Sequence, residues 1–82
     1  MEYQLAYTDE FKKDVKKLDA SMKPRVKKAI EKIIQEPTRF KPLEHKANTF
    51  RVRFSVYRLI YKVEKNTILL LRLGKRDDVY DD

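Results

Sequence analysis

The spacing of apolar residues changes twice along the 82-residue chain. Residues 2–7 alternate apolar and polar side chains, which is the period of a half-buried strand. Between Thr8 and Pro37 the apolar residues recur every three or four positions, and the break at "DASMKP" divides this stretch into two predicted helices. Alternation then returns and predicts three strands, over residues 49–55, 56–64 and 67–73.

Capping residues and prolines mark where these helices begin and end. Thr8 is suited to cap the first helix, because its hydroxyl can accept a backbone N–H of the first turn. Asp19 or Ser21 can cap the second helix, and Pro24 is compatible with its first turn. Pro37 ends the second helix, since the residue before a proline disfavours helical backbone.

The remaining segments predict how the strands are connected. Residues 37–48 contain two prolines and are predicted to form a loop held to the core by Phe40 and Leu43. Lys65-Asn66 is suited to a two-residue hairpin turn, in which Asn would tolerate positive φ. The last strand, "TILLLRL", is apolar on both faces, so we expect it to lie centrally.

This order predicts one α+β domain spanning residues 1–82. We expect an N-terminal strand, an antiparallel two-helix hairpin and a three-stranded antiparallel sheet, with both helices on one face of the sheet. The chain has no cysteine and no apolar run near the ~20 residues that span a bilayer. "MEYQLAYTDE" lacks the features of a secretory signal, so a cytoplasmic location is expected.

Positive charge is concentrated in the strand region. The formal net charge is +7, yet residues 1–36 carry 9 basic and 7 acidic side chains. Residues 37–76 carry 11 basic side chains and 2 acidic ones, and the last six residues, "DDVYDD", carry 4 acidic side chains and no basic one. An almost unopposed positive region favours a nucleic-acid partner, and the alternative is a solvated lysine-rich surface.

The arginines of "FRVRFSVYRLIYKV" are predicted to share one sheet face. Arg51 and Arg53 alternate with apolar residues on one strand, and Arg58 and Lys62 do so on the next. Pairing across the short turn would bring Arg58 beside Arg51 or Arg53, although like charges opposite each other destabilise a sheet. A phosphate would relieve this repulsion through bidentate contacts. The alternative is that the arginines simply point into water.

The end of the chain, "GKRDDVYDD", contains further candidates. Gly74 follows the last predicted strand, where it would let the chain turn and bring Lys75, Arg76 and Tyr80 over the sheet. Tyr80 could stack on a base or, alternatively, close the edge of the core. His45, the one histidine, is better explained as a solvated or structural side chain than as a catalyst, and no histidine or carboxylate pair has metal-ligand spacing.

These motifs together resemble the RelE/ParE toxin superfamily, most closely the RelE-type mRNA interferases. The matching parts are "FRVRFSVYRLIYKV", the ending "LLLRLGKRDDVY" and the strand–helix–helix–three-strand order, so the resemblance covers essentially the whole chain. It implies a toxin of a type II toxin–antitoxin module that cuts mRNA in the ribosomal A site without a cofactor. It also implies a RelB-like antitoxin partner, through which alone operator DNA would be contacted.

Carried over by position, the resemblance assigns roles to individual residues. Arg58, Arg76 and Tyr80 would be catalytic, acting on a phosphate attacked by the neighbouring 2′-OH. Arg51 and Arg53 fall at the basic pair of the family and would bind phosphate and RNA. Lys62 and Lys75, which the resemblance does not assign, join this phosphate- and RNA-binding set because Lys62 follows on the same face and Gly74 would bring Lys75 over the sheet.

Two departures from the family pattern affect this assignment. Similar toxins carry lysine where this chain has Arg51 and Arg53, and arginine is a poor general base because its pKa exceeds about 12. Lys62, Lys75 or Tyr80 would then take the proton, or the ribosome would supply the geometry, or activity would be weak. The turn Ser55-Val56 also stands where many relatives have Gly-Asp. A ParE-like gyrase inhibitor and an attenuated, antitoxin-binding member therefore remain as alternatives.

Overall fold

The computed structural model describes residues 3–44 and 46–75, and its α-helices and strands follow the predicted order with one addition. In chain order they are β1 (Gln4–Tyr7), α1 (Asp9–Lys16), a 3₁₀ turn (Ala20–Met22), α2 (Lys23–Gln35), β2 (Lys41–Pro42), β3 (Thr49–Phe54), β4 (Tyr57–Glu64) and β5 (Thr67–Lys75). The addition is β2, a two-residue strand inside the segment that the sequence predicts to be a loop.

The strands form one five-stranded sheet in the order β1-β5-β4-β3-β2. The expected antiparallel sheet is confirmed as β3, β4 and β5, each paired with the next. It is extended by β1, which runs parallel to β5, and by β2, which runs antiparallel to β3. The strand that is apolar on both faces, β5, therefore has a neighbour on each side, as expected.

Thr8 fixes α1 to the sheet as well as capping it. Its hydroxyl accepts the N–H of Phe11 at 3.0 Å, the cap that the sequence predicts. The same hydroxyl donates to the carbonyl of Leu71 at 2.7 Å, and the N–H of Thr8 donates to Leu70 at 3.1 Å. One threonine thus ends β1, begins α1 and holds both against β5.

The predicted cap of the second helix is wrong. Asp19 precedes the 3₁₀ turn, where its carbonyl accepts the N–H of Met22 at 2.9 Å and its side chain makes no capping bond. The helix itself begins at Lys23, with Pro24 in its first turn as predicted. The intervening turn therefore separates the candidate cap residues from the N–H groups they were expected to bind.

The helices pack on one face of the sheet, as predicted. The α2 side chains Val26, Ala29 and Ile33 are buried there together with Phe11 of α1. The sheet contributes the remaining buried members of this core: Phe50, Val52, Leu59, Tyr61, Ile68, Leu70 and Leu73. Within residues 3–44 and 46–75, neither helix has the length and apolar character needed to cross a membrane.

Tyr61 holds the segment after α2 against the core. Its buried hydroxyl donates to the carbonyl of Pro37 at 2.5 Å, and its ring meets Phe40 edge-on at 6.5 Å. Burial raises the pKa of Tyr61 above its ordinary value. Phe40 thus packs as predicted, whereas Leu43 packs with Ile60 on the opposite sheet face, because β2 carries the chain around the sheet edge.

Candidate nucleic-acid interface

The β3–β4 hairpin brings the three predicted arginines together on the sheet face opposite the helices. Arg53 lies directly opposite Arg58, and Arg51 lies opposite Ile60. Arg58 is buried, with 8% of its surface exposed, while Arg51 is half-buried and Arg53 is exposed. Directly opposed residues of such a pair have Cβ atoms about 4.5–5.5 Å apart. Arg51, Arg53 and Arg58, the arginine cluster, therefore present their charges in one small area, as strand alternation predicts.

The turns that set this register depend on residues that adopt positive φ. Ser55 has a φ of 56° in the turn between β3 and β4, so Val56 follows without having to adopt that conformation itself. In the turn between β4 and β5 the positive φ, 53°, falls on Lys65. The expectation that Asn66 would adopt it is wrong, because the same first turn position carries the left-handed conformation in both hairpins.

Gly74 lies within β5 and does not form the predicted turn. It pairs with Arg58, and the strand continues until Lys75 pairs with Tyr57. The extension forms because β4 supplies hydrogen-bonding partners beyond the point where the apolar pattern ends. Gly74 contributes no side chain to the surface beside Arg58, which is itself buried. Lys75 shares the register of Tyr57, which packs against the helix-side core, so it does not join the arginine cluster.

The structure separates Lys62 from the arginine cluster and brings Lys41, which the sequence does not indicate, beside it. Lys62 is four residues from Arg58 along β4, roughly 13 Å away, and its Nζ lies 3.5 Å from Oε1 of Glu64. It is therefore outside the arginine cluster. Lys41 lies in β2 opposite Arg51 and is exposed. No sequence pattern indicates Lys41, because a two-residue strand inside a proline-containing segment is too short to show alternation.

An apolar patch borders the arginine cluster on the same face. Leu43 and Ile60 are buried there, with Leu71 packed against them. Leu71 reaches this face because the β4–β5 register shifts between Ile60 and Tyr61, leaving Leu71 without a directly opposed partner. Alternation predicts Ile60 between Arg58 and Lys62 on this face, and the structure shows that Ile60 is part of a buried apolar patch with Leu43 and Leu71.

Asp14 closes the edge of β5 beyond the end of β1. The parallel pairing of β1 stops at Leu70, and α1 then runs beside the strand. Oδ2 of Asp14 accepts the N–H of Leu73 at 2.8 Å and Nε of Arg72 at 2.9 Å. The hydrogen bond between the side chains of Arg72 and Asp14 raises the pKa of Arg72. Arg72 is therefore a structural arginine, and sequence reasoning did not identify its partner because the contact spans 58 positions.

Three predicted residues lie outside the described part of the chain. Arg76 and Tyr80, assigned to the site by resemblance, follow the last described residue, and His45 falls in the gap after residue 44. Within residues 3–44 and 46–75, no three histidine, aspartate or glutamate side chains lie together in a way that could hold a metal ion.

A groove of about 670 Å³ runs between α1 and α2 on the side of the molecule away from the arginine cluster. Phe11, Val26 and Ile30 contribute to its apolar floor, and Tyr7, half exposed, lies at one end. Its lining also includes one acid, Glu31, and four lysines: Lys12, Lys16, Lys23 and Lys27. This surface is complementary to a segment that is apolar on one side and acidic on the other.

Sequence comparison identifies related proteins along almost the whole chain. The family model for the ParE toxin of the type II toxin–antitoxin system parDE matches residues 5–80. Toxin RelG of Mycobacterium tuberculosis is 34% identical over 89 aligned residues, which cover 98% of this chain and 98% of that protein.

Solved structures share the fold described above. The toxin–antitoxin complex RelBE2 of Mycobacterium tuberculosis contains a chain that is 30% identical, with a TM-score of 0.71 and coverage of 93% of this chain and 100% of that chain. The isolated E. coli RelE toxin is 24% identical, with a TM-score of 0.80 and coverage of 89% and 83%. The two helices on one face of a sheet are thus a shared architecture.

Proposed function

Because the chain belongs to the RelE/ParE superfamily of type II toxin–antitoxin toxins, we propose that it is a ribosome-dependent endoribonuclease that cuts mRNA in the A site. The observation that carries this proposal is the pairing of Arg53 with Arg58 on the sheet face opposite the helices. Two guanidinium groups at directly opposed positions repel each other in the free protein and match the oxygens of one phosphate.

The neighbouring residues support a phosphate at this place. Arg51 lies diagonally across from Arg58, and Gly74 opposite Arg58 contributes no side chain that would block an approaching strand. Lys41 extends the positive surface beside Arg51. A phosphate here would be held by permanent positive charges, and the exposed side chains of Arg53 and Lys41 would face the rest of the RNA.

The proposed reaction is attack by a ribose 2′-OH on the adjacent phosphorus. The new P–O bond gives a 2′,3′-cyclic phosphate, and the bond to the 5′-oxygen breaks to release a 5′-OH. Arg53 and Arg58 would hold the phosphate and stabilise the charge that develops on its oxygens. Arg76 would stabilise or protonate the leaving 5′-oxygen, and Tyr80 would stack on a base and orient it.

The proton of the 2′-OH needs an acceptor, and arginine cannot serve. Lys62 is a weak candidate because it lies about four residues from the cluster and beside Glu64. Lys75 is also weak because its register places it with Tyr57 on the helix side. The proposal therefore leaves Tyr80 or a group of the ribosome as the acceptor.

The proposed partners are the ribosome with its mRNA and a RelB-like antitoxin in the cytoplasm. Solved relatives include complexes with antitoxins, among them RelBE2 of Mycobacterium tuberculosis. Two surfaces suit such a partner here, namely the apolar groove between α1 and α2 and the arginine cluster. An acidic amphipathic segment could cover both, and covering the cluster would inhibit RNA binding.

The test uses purified protein and ribosomes programmed with a defined mRNA, with cut sites mapped by primer extension. Wild type is expected to cut within codons, and Arg53→Gln and Arg76→Ala are each expected to cut about 10–100-fold more slowly, the effect of losing one charge-assisted contact. The matched control is Arg39→Gln, which removes an exposed arginine that pairs with Glu36 at 3.8 Å outside the site. Intact mRNA with wild-type protein would overturn the proposal, and antitoxin binding by that inactive protein would indicate an attenuated member.

A second candidate function is inhibition of DNA gyrase. It is favoured by one finding, the match of residues 5–80 to the ParE toxin family model. The two functions are separated by a supercoiling assay with pure gyrase. Inhibition by wild type and equally by Arg53→Gln, together with intact mRNA in the ribosome assay, would support the gyrase candidate.

A further inference from the structure

A cleft of about 500 Å³ opens at the end of β5, on the sheet face opposite the arginine cluster. It lies between the C-terminal end of α1, which contributes Lys17, and the ends of β4 and β5, which contribute Tyr57 and Lys75. Its lining also includes Arg72 and Asp14. The proposed catalytic roles use none of these five side chains.

The charge of this cleft is positive after its ion pair is taken into account. Asp14 is engaged by Arg72 at 2.9 Å, so these two charges offset each other. Lys17 and Lys75 form no ion pair with an acid in residues 3–44 or 46–75 and are both exposed. Among the described residues, the cleft therefore carries two ammonium groups that no acid pairs with, and ammonium groups suit phosphate oxygens.

Tyr57 adds an aromatic surface to the lining of the same cleft. Its ring is half-buried and stacks on Phe54, with ring centres 6.0 Å apart and an angle of 21° between the planes. A ring held in one orientation by its neighbour is suited to stack on a base. Ammonium groups beside an aromatic ring are the combination by which proteins bind single-stranded nucleic acid.

The register of β4 and β5 connects the cleft with the arginine cluster. Arg58 pairs with Gly74, and the next pair along is Tyr57 with Lys75. The two sites therefore occupy opposite faces of adjacent residue pairs at the same end of the sheet. An RNA strand that passes around this end of the sheet crosses roughly 10 Å, the thickness of one sheet layer. Gly74 contributes no side chain to that path.

We propose that the cleft of Lys17, Tyr57 and Lys75 is a second RNA-binding subsite, which holds the strand as it leaves the arginine cluster. Lys17 and Lys75 bind one or two phosphates flanking the cut site, and Tyr57 stacks on a base. This inference rests on the proposed RNA-cleaving function, but it concerns binding and is tested on the isolated protein.

The test measures the affinity of the full-length protein for an RNA trinucleotide and for an octanucleotide that contains the same three nucleotides. Both affinities are measured across a range of salt concentrations. The variant is Lys17→Gln with Lys75→Gln. Its matched control is Lys28→Gln with Lys32→Gln, which removes the same charge from exposed positions on α2 outside the cleft. Circular dichroism and urea unfolding verify that both double variants are folded.

The cleft variant is expected to weaken octanucleotide binding about tenfold at about 0.15 M salt and to lower the salt slope by about 1.4, the value for two lost single-strand phosphate contacts. Trinucleotide binding is expected to match wild type, and the α2 control is expected to bind both RNAs as wild type does. Replacing the ring by Tyr57→Leu is expected to weaken the octanucleotide alone.

Three results would overturn the subsite. The first is that the cleft variant loses as much affinity for the trinucleotide as for the octanucleotide. The second is that the α2 control loses as much affinity as the cleft variant does, and the third is that the wild-type protein binds neither RNA. Failure of the proposed function is seen separately, as intact mRNA in the ribosome assay. A cleft variant that binds the octanucleotide as wild type does, in a protein that still cuts mRNA on ribosomes, removes the subsite and leaves the function.

Discussion

Replacing Arg53 with threonine is expected to stabilise the fold while removing phosphate binding. Arg53 is exposed and lies directly opposite Arg58, which is buried. Like charges at directly opposed positions of an antiparallel pair destabilise it, with pair effects of about 0.2–1 kcal/mol. Threonine also suits a strand, because β-branched side chains pack well on a pleated surface.

The expected gain is therefore about 0.2–1 kcal/mol in the free energy of unfolding. For a domain of this size, 1 kcal/mol corresponds to about 4–8 °C, so the Tm is expected to rise by roughly 1–8 °C. The matched control is Arg72→Thr, which removes an arginine from the same sheet. Arg72 is paired with Asp14 at 2.9 Å and is 45% exposed, so its loss is expected to destabilise by about 0.5–1.5 kcal/mol.

Urea unfolding with and without inorganic phosphate, at matched ionic strength, measures both effects. Phosphate stabilises any protein to some extent by being excluded from its surface. The gain in the free energy of unfolding that comes from specific phosphate binding is the difference between the gains of wild type and of Arg53→Thr. Arg72→Thr is expected to gain as much from phosphate as wild type does. If Arg53→Thr is less stable than wild type, or gains as much from phosphate, the interpretation of the cluster as an anion site is incorrect.

Three further predictions concern the contacts that position the site. Asp14→Ala is expected to destabilise by about 2–3 kcal/mol in urea unfolding, because the partly buried N–H of Leu73 loses a charged acceptor, and Asp14→Asn is expected to restore part of it. Below pH about 10 Tyr61 is protonated in both states, and above it the unfolded chain ionises first, since burial raises the pKa in the fold. Above pH about 10, ionisation of Tyr61 in the unfolded chain is then expected to lower the free energy of unfolding by about 1.4 kcal/mol per pH unit. In Tyr61→Phe, the free energy of unfolding is expected to fall less steeply with pH in this range. Ser55→Gly is expected to raise the Tm, because glycine adopts a φ of 56° without the roughly 1 kcal/mol cost of a side chain, whereas Ser55→Val is expected to lower it.

The parts of the fold that follow from local pattern were predictable from the sequence. Two-residue turns fix the register of both hairpins, so alternation alone placed Arg53 and Arg58 on one face. The parallel pairing of β1 with β5 was not predictable in this way, because Gln4 and Thr67 are joined by no turn and are 63 positions apart. Long-range pairing of short strands is decided by burial of the assembled core, which no single segment encodes.

The candidate site shows the same division. The positions of the clustered arginines are predictable from the sequence because all three lie on one hairpin. The position of Lys41 is not predictable in this way, because it reaches the cluster through β2. Gly74 lies in a strand and not in the predicted turn for a related reason. A lone glycine after an apolar run usually marks a turn, but here β4 offers partners as far as Tyr57, and completing those hydrogen bonds outweighs the weak strand preference of glycine.

The choice of arginine over lysine in the cluster has a physical consequence for the proposed chemistry. Burial and a neighbouring positive charge both favour the neutral form of a basic group. A lysine at position 58, 8% exposed and opposite another cation, would respond by losing its proton. Arginine does not, because its pKa exceeds about 12. Arginines therefore keep this surface cationic at every physiological pH, which suits binding and charge stabilisation. The same property removes the cluster from proton transfer, so in the proposed reaction the acceptor for the 2′-OH would lie outside it.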